Sequence, residues 1–357
     1  MIAVSRASIA SAGRPRELGG RSRPVAVWLF VVATFVYLMV VVGGATRLTG
    51  SGLSITEWKP IVGVIPPLTD AAWTDVFRKY QASSQYRLIN QDLDLAHFKI
   101  LFWWEWGHRL LGRTVGLVFA APFVTLLLLR RIPARLVGRC WALLALGGVQ
   151  GLVGWWMVKS GLEGRAAVAP ERLATHLGLA LVLLAALVWT AAEAWSGEIR
   201  AGYRRRDAWP VMSMGLAIVI YCQCLLGALV AGAGGGHVDI DWPLMGGRVV
   251  PDDYWRGGVA ATLLHGPSAV QFNHRLLAYC ALILTVVLLV QALRAKPRPR
   301  GVLSSTLLVL GLLGLQAGLG VTTLMTGDGL ALALAHQANA AILLTAAVVL
   351  AWRARRV

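Results

Sequence analysis

Apolar residues along this chain fall into eight long runs that are separated by polar segments. The first run starts near Pro24 and ends near Gly43, and the others span roughly 104–129, 137–158, 173–194, 209–232, 271–292, 302–324 and 332–352. A helix of about 20 residues can cross a hydrocarbon core about 30 Å thick. The pattern therefore predicts an all-α integral membrane protein with eight transmembrane helices.

Charge gives these helices an orientation. Only 14% of the 357 residues are charged, and the net charge of +17 lies in short clusters between apolar runs, which is typical of membrane topology and not of nucleic-acid binding. Twenty Lys and Arg against three acids occur in the segments 1–24, 130–139, 195–208, 293–301 and 353–357. By the positive-inside rule, both termini are cytoplasmic. The arginine-rich start is alternatively typical of an organellar targeting segment.

The longest outer loop covers residues 45–103 and has a glycine-rich beginning. Within it, four apolar residues recur at helical spacing after a cap at Asp70, which predicts a short amphipathic helix lying on the membrane surface. These residues are Trp73, Val76, Phe77 and Tyr80.

The chain contains an internal repeat. The sequence His-Arg-Leu-Leu at His108 returns at His274, 166 residues later, and Gln150 and Gly154 have counterparts Gln316 and Gly320 at the same offset. His176 and His336 correspond at an offset of 160. Each half therefore has four helices with a histidine near the outer start of its second and fourth. Because four is even, the halves have the same orientation.

This repeat predicts two pseudo-symmetric four-helix bundles packed side by side. The expected segments are a cytoplasmic tail at 1–24, an N-terminal bundle at 25–194, a linker at 195–208, a C-terminal bundle at 209–352 and a tail at 353–357. The second and fourth helices of an up-down bundle start on the same side, so their histidines can face each other across the core. Two facing imidazoles favour a heme, whose own nitrogens supply the equatorial ligands, while copper or zinc is the alternative.

One position distinguishes the halves. Glu105 lies three residues before His108, whereas Gln271 lies three residues before His274. A carboxylate one turn from an axial ligand suits a proton donor or acceptor, or a group that stabilises positive charge, so we expect chemistry in the N-terminal half. The structural alternative is an ion pair between Glu105 and Arg109.

Three arginines lie at the depth where heme propionates would emerge. They are Arg109, Arg113 and Arg275, of which Arg113 is the better candidate because it does not neighbour a ligand histidine in the sequence. The three histidines outside the repeat, His97, His237 and His265, are expected to be loop or surface residues.

The run from Gly43 to Pro60, with Glu105-Trp-Gly-His108-Arg and Gln271-Phe-Asn-His274-Arg, closely resembles the heme A synthase family in its mitochondrial and alphaproteobacterial form. The resemblance covers about residues 25–352. It implies oxidation of the C8 methyl group of heme O to a formyl group by successive hydroxylations, giving heme A for cytochrome c oxidase. A diheme cytochrome b that only passes electrons between quinol and a partner is the alternative.

The resemblance also implies roles for individual residues. His108 and His176 would ligate the substrate heme O beside Glu105 as the essential carboxylate, and His274 and His336 would ligate a heme b cofactor. The implied partners are heme O synthase, an electron-transfer partner and the lipid of a bacterial inner membrane, with the mitochondrial inner membrane as the alternative. Self-association of protomers is left open.

Overall fold

The computed structural model describes residues 21–59, 62–197, 208–296, 298–327 and 329–356. Within these ranges, the regular secondary structure is helical, apart from one isolated bridge between Met245 and Arg248. Much of the predicted N-terminal tail and of the linker between the halves lies outside the described residues.

Eleven α-helices follow one another along the described part of the chain. They are α1 (Arg23–Leu48), α2 (Asp70–Gln81), α3 (Ser84–Ile89), α4 (Leu95–Leu128), α5 (Ala134–Leu162), α6 (Pro170–Ser196), α7 (Trp209–Ala233), α8 (Gly258–Ala260), α9 (Pro267–Arg294), α10 (Arg300–Met325) and α11 (Leu330–Ala354). All except α2, α3 and α8 are long and apolar enough to cross a membrane, which confirms the eight predicted spans.

Helix α4 begins at Leu95, about two and a half turns before the apolar run that predicted it. The Asp94 side chain accepts a hydrogen bond from the His97 backbone N–H at 2.8 Å and so caps the helix at Leu95. His97 therefore lies in the helix and not in a loop, and its exposed side chain confirms the surface position expected for it.

The outer helix α2 forms as predicted, but its cap differs. Thr69 and not Asp70 is the cap, because its hydroxyl accepts from the Ala72 N–H at 3.2 Å. The apolar face packs against the outer part of α4. The ring centroids of Trp73 and Phe102 are 4.9 Å apart, and those of Tyr80 and Phe98 are 5.1 Å apart.

The long helices pack in a consistent order. Helix α1 contacts α4 and α6, and α5 also contacts both α4 and α6, so the first four long helices close a ring. Helices α7, α9, α10 and α11 close a second ring by the corresponding contacts. Between the two groups, α6 contacts α7 and α11, and α1 contacts α11.

A close contact fixes the position of α1 against α11. Gln337 Nε2 donates to the Val40 carbonyl at 2.7 Å. A Cβ atom on Gly44 would lie 2.6 Å from the same nitrogen, so only glycine fits there without a shift of the Gln337 side chain.

Candidate functional site

Each of the four repeat histidines faces a glycine of the preceding long helix. A Cβ atom would lie 3.1 Å from His108 Nε2 if placed on Gly43, and 2.8 Å from His176 Cε1 if placed on Gly154. It would lie 3.1 Å from His274 Cε1 if placed on Gly227, and 2.9 Å from His336 Cε1 if placed on Gly320. Real Cβ atoms rarely approach this closely, so the missing side chains make room for the imidazole rings.

The histidines also form pairs. His108 is close enough to His176, and His274 to His336, for each pair to interact electrostatically. All four are half-buried, whereas the histidines outside the repeat, His97, His237 and His265, are exposed. The exposure of His237 and His265 confirms the surface positions expected for them.

Three of the four histidines are held by a glutamine. The Nε2 atoms of Gln150, Gln223 and Gln316 donate to the backbone carbonyls of His176, His274 and His336 at 3.0, 2.9 and 3.1 Å, respectively. Each amide nitrogen also lies 3.1–3.5 Å from at least one ring nitrogen of its histidine. These contacts fix both the backbone and the ring of each residue.

The carboxylate of Glu105 is buried, and four hydrogen bonds satisfy it. Its Oε2 accepts from Ser54 Oγ at 2.8 Å and from the Ile55 N–H at 2.7 Å. Its Oε1 accepts from Arg109 Nη2 at 2.6 Å and Nε at 3.0 Å. The structural alternative, an ion pair with Arg109, is therefore present. All four contacts are donors to the Glu105 oxygens. They match an ionised carboxylate, which can only accept hydrogen bonds.

Gln271 occupies the corresponding position in the second half with the opposite hydrogen-bonding polarity. Its Nε2 donates to the Gly235 carbonyl at 2.7 Å and to the Val238 carbonyl at 2.8 Å. Each side chain thus binds the segment that follows the preceding long helix. In the first half that segment offers donors, and in the second it offers acceptors.

All three candidate propionate-binding arginines donate to outer-loop carbonyls, and Arg109 and Arg275 each bind two of them. Arg109 donates to Ile55 O at 2.7 Å and to Glu57 O at 2.9 Å. Arg275 donates to Asp239 O at 2.9 Å and to Leu244 O at 2.8 Å. These contacts make Arg109 and Arg275 anchors of the outer loops.

Arg113 also reaches the outer loop, where its Nη2 donates to the Lys59 carbonyl at 3.1 Å. The nearby Glu57 carboxylate binds Lys59 at 3.0 Å and Lys79 at 3.1 Å, and these two hydrogen bonds lower the pKa of Glu57. The loop between α1 and α2 is thus attached to α4 through Glu105, Arg109 and Arg113.

The donor set suits a heme better than a bare ion. Among the described residues, no group of three or more His, Cys, Asp or Glu side chains could hold a metal ion. Two imidazoles leave a bare ion with too few ligands, whereas heme iron needs only two axial ones. Buried atoms without a partner also remain beside the rings, namely His274 Nδ1, Gln150 Oε1 and Gln223 Oε1. His274 Nδ1 is thus a buried ring nitrogen that no described residue satisfies, which fits a role as a metal ligand.

Several of these residues were not identified from sequence. Gln223 and Gly227 repeat the four-residue spacing of Gln150 to Gly154, and a search for glutamine and glycine at this spacing in apolar runs would have found them. Ser54 and Ile55 lie within the run from Gly43 to Pro60, but their bonds to Glu105 depend on how the loop folds back over α4.

Eight membrane-crossing helices that present four histidines against glycines define a polytopic membrane protein with paired-imidazole sites. The chain belongs to the COX15-CtaA family, described as cytochrome oxidase assembly protein, whose model matches residues 26–348.

Curated relatives agree with this assignment. The chain is 54% identical over 336 residues to a heme A synthase of Caulobacter sp. (strain K31), covering 94% of this chain and 97% of the relative. It is 45% identical over 334 residues to a heme A synthase of Paracoccus denitrificans (strain Pd 1222), covering 91% and 86%. It is 42% identical over 344 residues to one of Maricaulis maris (strain MCS10), covering 96% and 99%.

Proposed function

We propose that this protein is a heme A synthase that oxidises the C8 methyl group of heme O to a formyl group. The observation that carries the proposal is the set of four glycine-facing histidines in two pairs, together with a carboxylate near only one pair. Membership of the COX15-CtaA family and near full-length relatives named heme A synthase support the same function. Successive hydroxylations, with loss of water, leave the aldehyde.

The two rings of helices support a pseudo-symmetric pair of four-helix bundles, residues 25–194 and 209–352. In this arrangement His108 and His176 hold the substrate heme O, and His274 and His336 hold a heme b cofactor. The heme b supplies one-electron redox chemistry when it is bound. The arginine-rich segments support a cytoplasmic location for both termini in a bacterial cell, with the outer loops on the opposite side of the inner membrane.

Glu105 acts in this proposal as a charged group near the substrate. Four donors surround its oxygens, which favours electrostatic stabilisation of positive charge on the substrate over proton abstraction. The same hydrogen bonds attach the loop at 54–57 to α4 above His108, so the carboxylate also positions the cover of the site. Arg113 remains the best candidate for a heme propionate. Heme O synthase and an electron-transfer partner complete the proposed pathway.

The test is to replace Glu105 with Gln in the full-length protein and to extract the hemes. Heme A should fall below about a hundredth of the wild-type amount, while the second bundle keeps its b-type spectrum. Glu57→Gln is the matched control, because it removes a carboxylate from the same loop segment without touching either histidine pair. Undiminished heme A in Glu105→Gln would remove Glu105 from the mechanism. Two tightly bound, identical hemes with no modified product would instead identify a diheme electron-transfer cytochrome.

A further inference from the structure

The four histidine sites differ in the residue one helical turn before the glycine. That residue is Gln150 in α5, Gln223 in α7 and Gln316 in α10, four positions before Gly154, Gly227 and Gly320. In α1, the residue four positions before Gly43 is Met39. Residues four apart lie on the same face of a helix, so Met39 occupies the place from which the glutamines reach their histidines.

Met39 cannot replace a glutamine chemically. A thioether has no donor for the histidine carbonyl and accepts hydrogen bonds only weakly. Its methyl group instead packs towards α4, where a Cβ atom on Gly112 would lie 3.5 Å from Met39 Cε. Among the described residues, no hydrogen bond is formed to the imidazole of His108.

The other sites show increasing support. At His176 and His274 a glutamine contacts both the backbone and the ring. At His336, Asn339 adds a further bond by donating to Gln316 Oε1 at 2.7 Å, so the supporting amide is itself fixed. His108 therefore has the least support of the four, and it lies in the half that contains Glu105.

Support of this kind has a measurable effect on metal ligands. Residues that bind a ligating histidine outside the metal site fix its orientation, and their loss costs about 10–100-fold in metal affinity. A cofactor must remain bound through many turnovers, whereas a substrate heme must enter and a product heme must leave. The weakest support therefore occurs at His108, in the half proposed to exchange its heme. The strongest occurs at His336, in the half proposed to retain it.

We propose that Met39 makes His108 the weakly held, exchangeable axial ligand through which substrate heme enters and product heme leaves. Gln150, Gln223 and Gln316 are positioning residues that hold the other three histidines. This inference rests on the proposed function, because it requires that both pairs bind heme. It adds a structural reason for one pair to release its heme and for the other to retain it.

The test measures how fast heme leaves each half. Full-length protein in detergent, with the second pair disabled by His274→Ala, is loaded with heme and mixed with excess apomyoglobin, which captures released heme and reports it by absorbance. Met39→Gln in this background should slow the release by about tenfold or more. Met39→Leu is the matched control and should release heme at the unmodified rate, because leucine also lacks an amide.

The reciprocal variant tests the same idea in the other half. With the first pair disabled by His108→Ala, Gln223→Met should speed heme loss by about tenfold or more. It should also shift the midpoint potential of the remaining heme, which a change in folding alone would not do at unchanged heme content. This variant keeps the inference falsifiable if Met39→Gln does not fold.

The outcomes separate this inference from the proposed function. Protein with His274→Ala that takes up no heme would overturn the proposed function itself. Protein that takes up heme but releases it at the same rate with Met39→Gln as without it would overturn only the inference. Heme loss that is faster in Met39→Leu, with a changed low-spin spectrum, would also overturn it, because Met39 would then ligate the iron directly.

Discussion

Arg109 and Glu105 form an ion pair on the outer part of α4, with 2.6 Å between Arg109 Nη2 and Glu105 Oε1. Only 3% of the Glu105 side chain and 15% of the Arg109 side chain are exposed. The pair is also part of a larger connection, since each partner binds the loop backbone at Ile55. The residue expected to carry chemistry and the loop that covers the site are thus one structural unit.

Arg109→Ala should loosen this unit. Removal of one partner from a buried pair leaves the other charge uncompensated, at a cost of about 3–5 kcal/mol. We expect a lower thermal midpoint and faster amide hydrogen exchange in residues 54–58, measured by mass spectrometry. Arg78→Ala is the control, because Arg78 pairs with Asp75 on the exposed face of α2 and should change neither. Unchanged exchange in Arg109→Ala would show that the loop is held by other contacts.

Gln271→Glu should destabilise the second half and not create a second catalytic site. The amide donates to two backbone carbonyls, and a carboxylate would direct its lone pairs at both of them. We expect a loss of about 1–3 kcal/mol in the free energy of unfolding, with no gain in heme A. A variant of wild-type stability that carries an active second site would show that the Glu–Gln difference is not set by loop polarity.

Gly154→Ala should expel the His176 ring from its position, because the new Cβ would lie 2.8 Å from Cε1. The first half should then bind heme at least about tenfold more weakly, as measured by pyridine hemochrome content in a His274→Ala background. Gly151→Ala on the same helix is the control, because a Cβ there meets nothing within 4 Å. Equal heme contents in the two variants would contradict the role assigned to Gly154.

The Glu57 pairs should make the stability of the outer loop depend on pH. Hydrogen bonds from Lys59 and Lys79 lower the pKa of Glu57 below its ordinary value of 4.5, so the folded state favours the charged form. The stabilisation is present above the ordinary pKa and is lost as pH falls through the lowered one.

The thermal midpoint of Glu57→Gln should therefore lie below that of the wild type at about pH 7, and the gap should close as the pH falls below the lowered pKa of Glu57. Because the side chains are partly exposed, the gap should also shrink at high salt. A gap that persists at low pH would show that the glutamine disturbs the loop for another reason.

Much of the fold follows from sequence because membrane helices need long apolar runs, and these runs are local. The ends of the helices are less predictable. Asp94 extends α4 beyond its apolar run, and Pro267 starts α9 four residues before Gln271, where the run was expected to begin. Capping and N-terminal proline decide these ends, while hydropathy reports only the part that crosses lipid.

The candidate site was predicted only in part, because some of its features are local in the sequence and others depend on the folded chain. His108 and His274 sit in an identical four-residue sequence, so repetition identified them. Glu105 was identified as the difference between the halves, but its bonds to Ser54 and Ile55 depend on a loop that folds back across about 50 residues. Sequence offers no signal for that closure. Met39 was missed because its importance appears only when α1 is compared with α5, α7 and α10, which have a glutamine at the corresponding position.

The consecutive glycines of α1 face different neighbours, Gly43 towards His108 and Gly44 towards Gln337, which adjoins His336 in the sequence. At this doublet, only the backbone of α1 separates His108 of the first half from Gln337 of the second half. A side chain at Gly43 would press on the His108 ring, and one at Gly44 would displace the Gln337 side chain. The doublet therefore sets the thickness of the partition between the two halves, which an electron would have to cross if each histidine pair holds a heme as proposed.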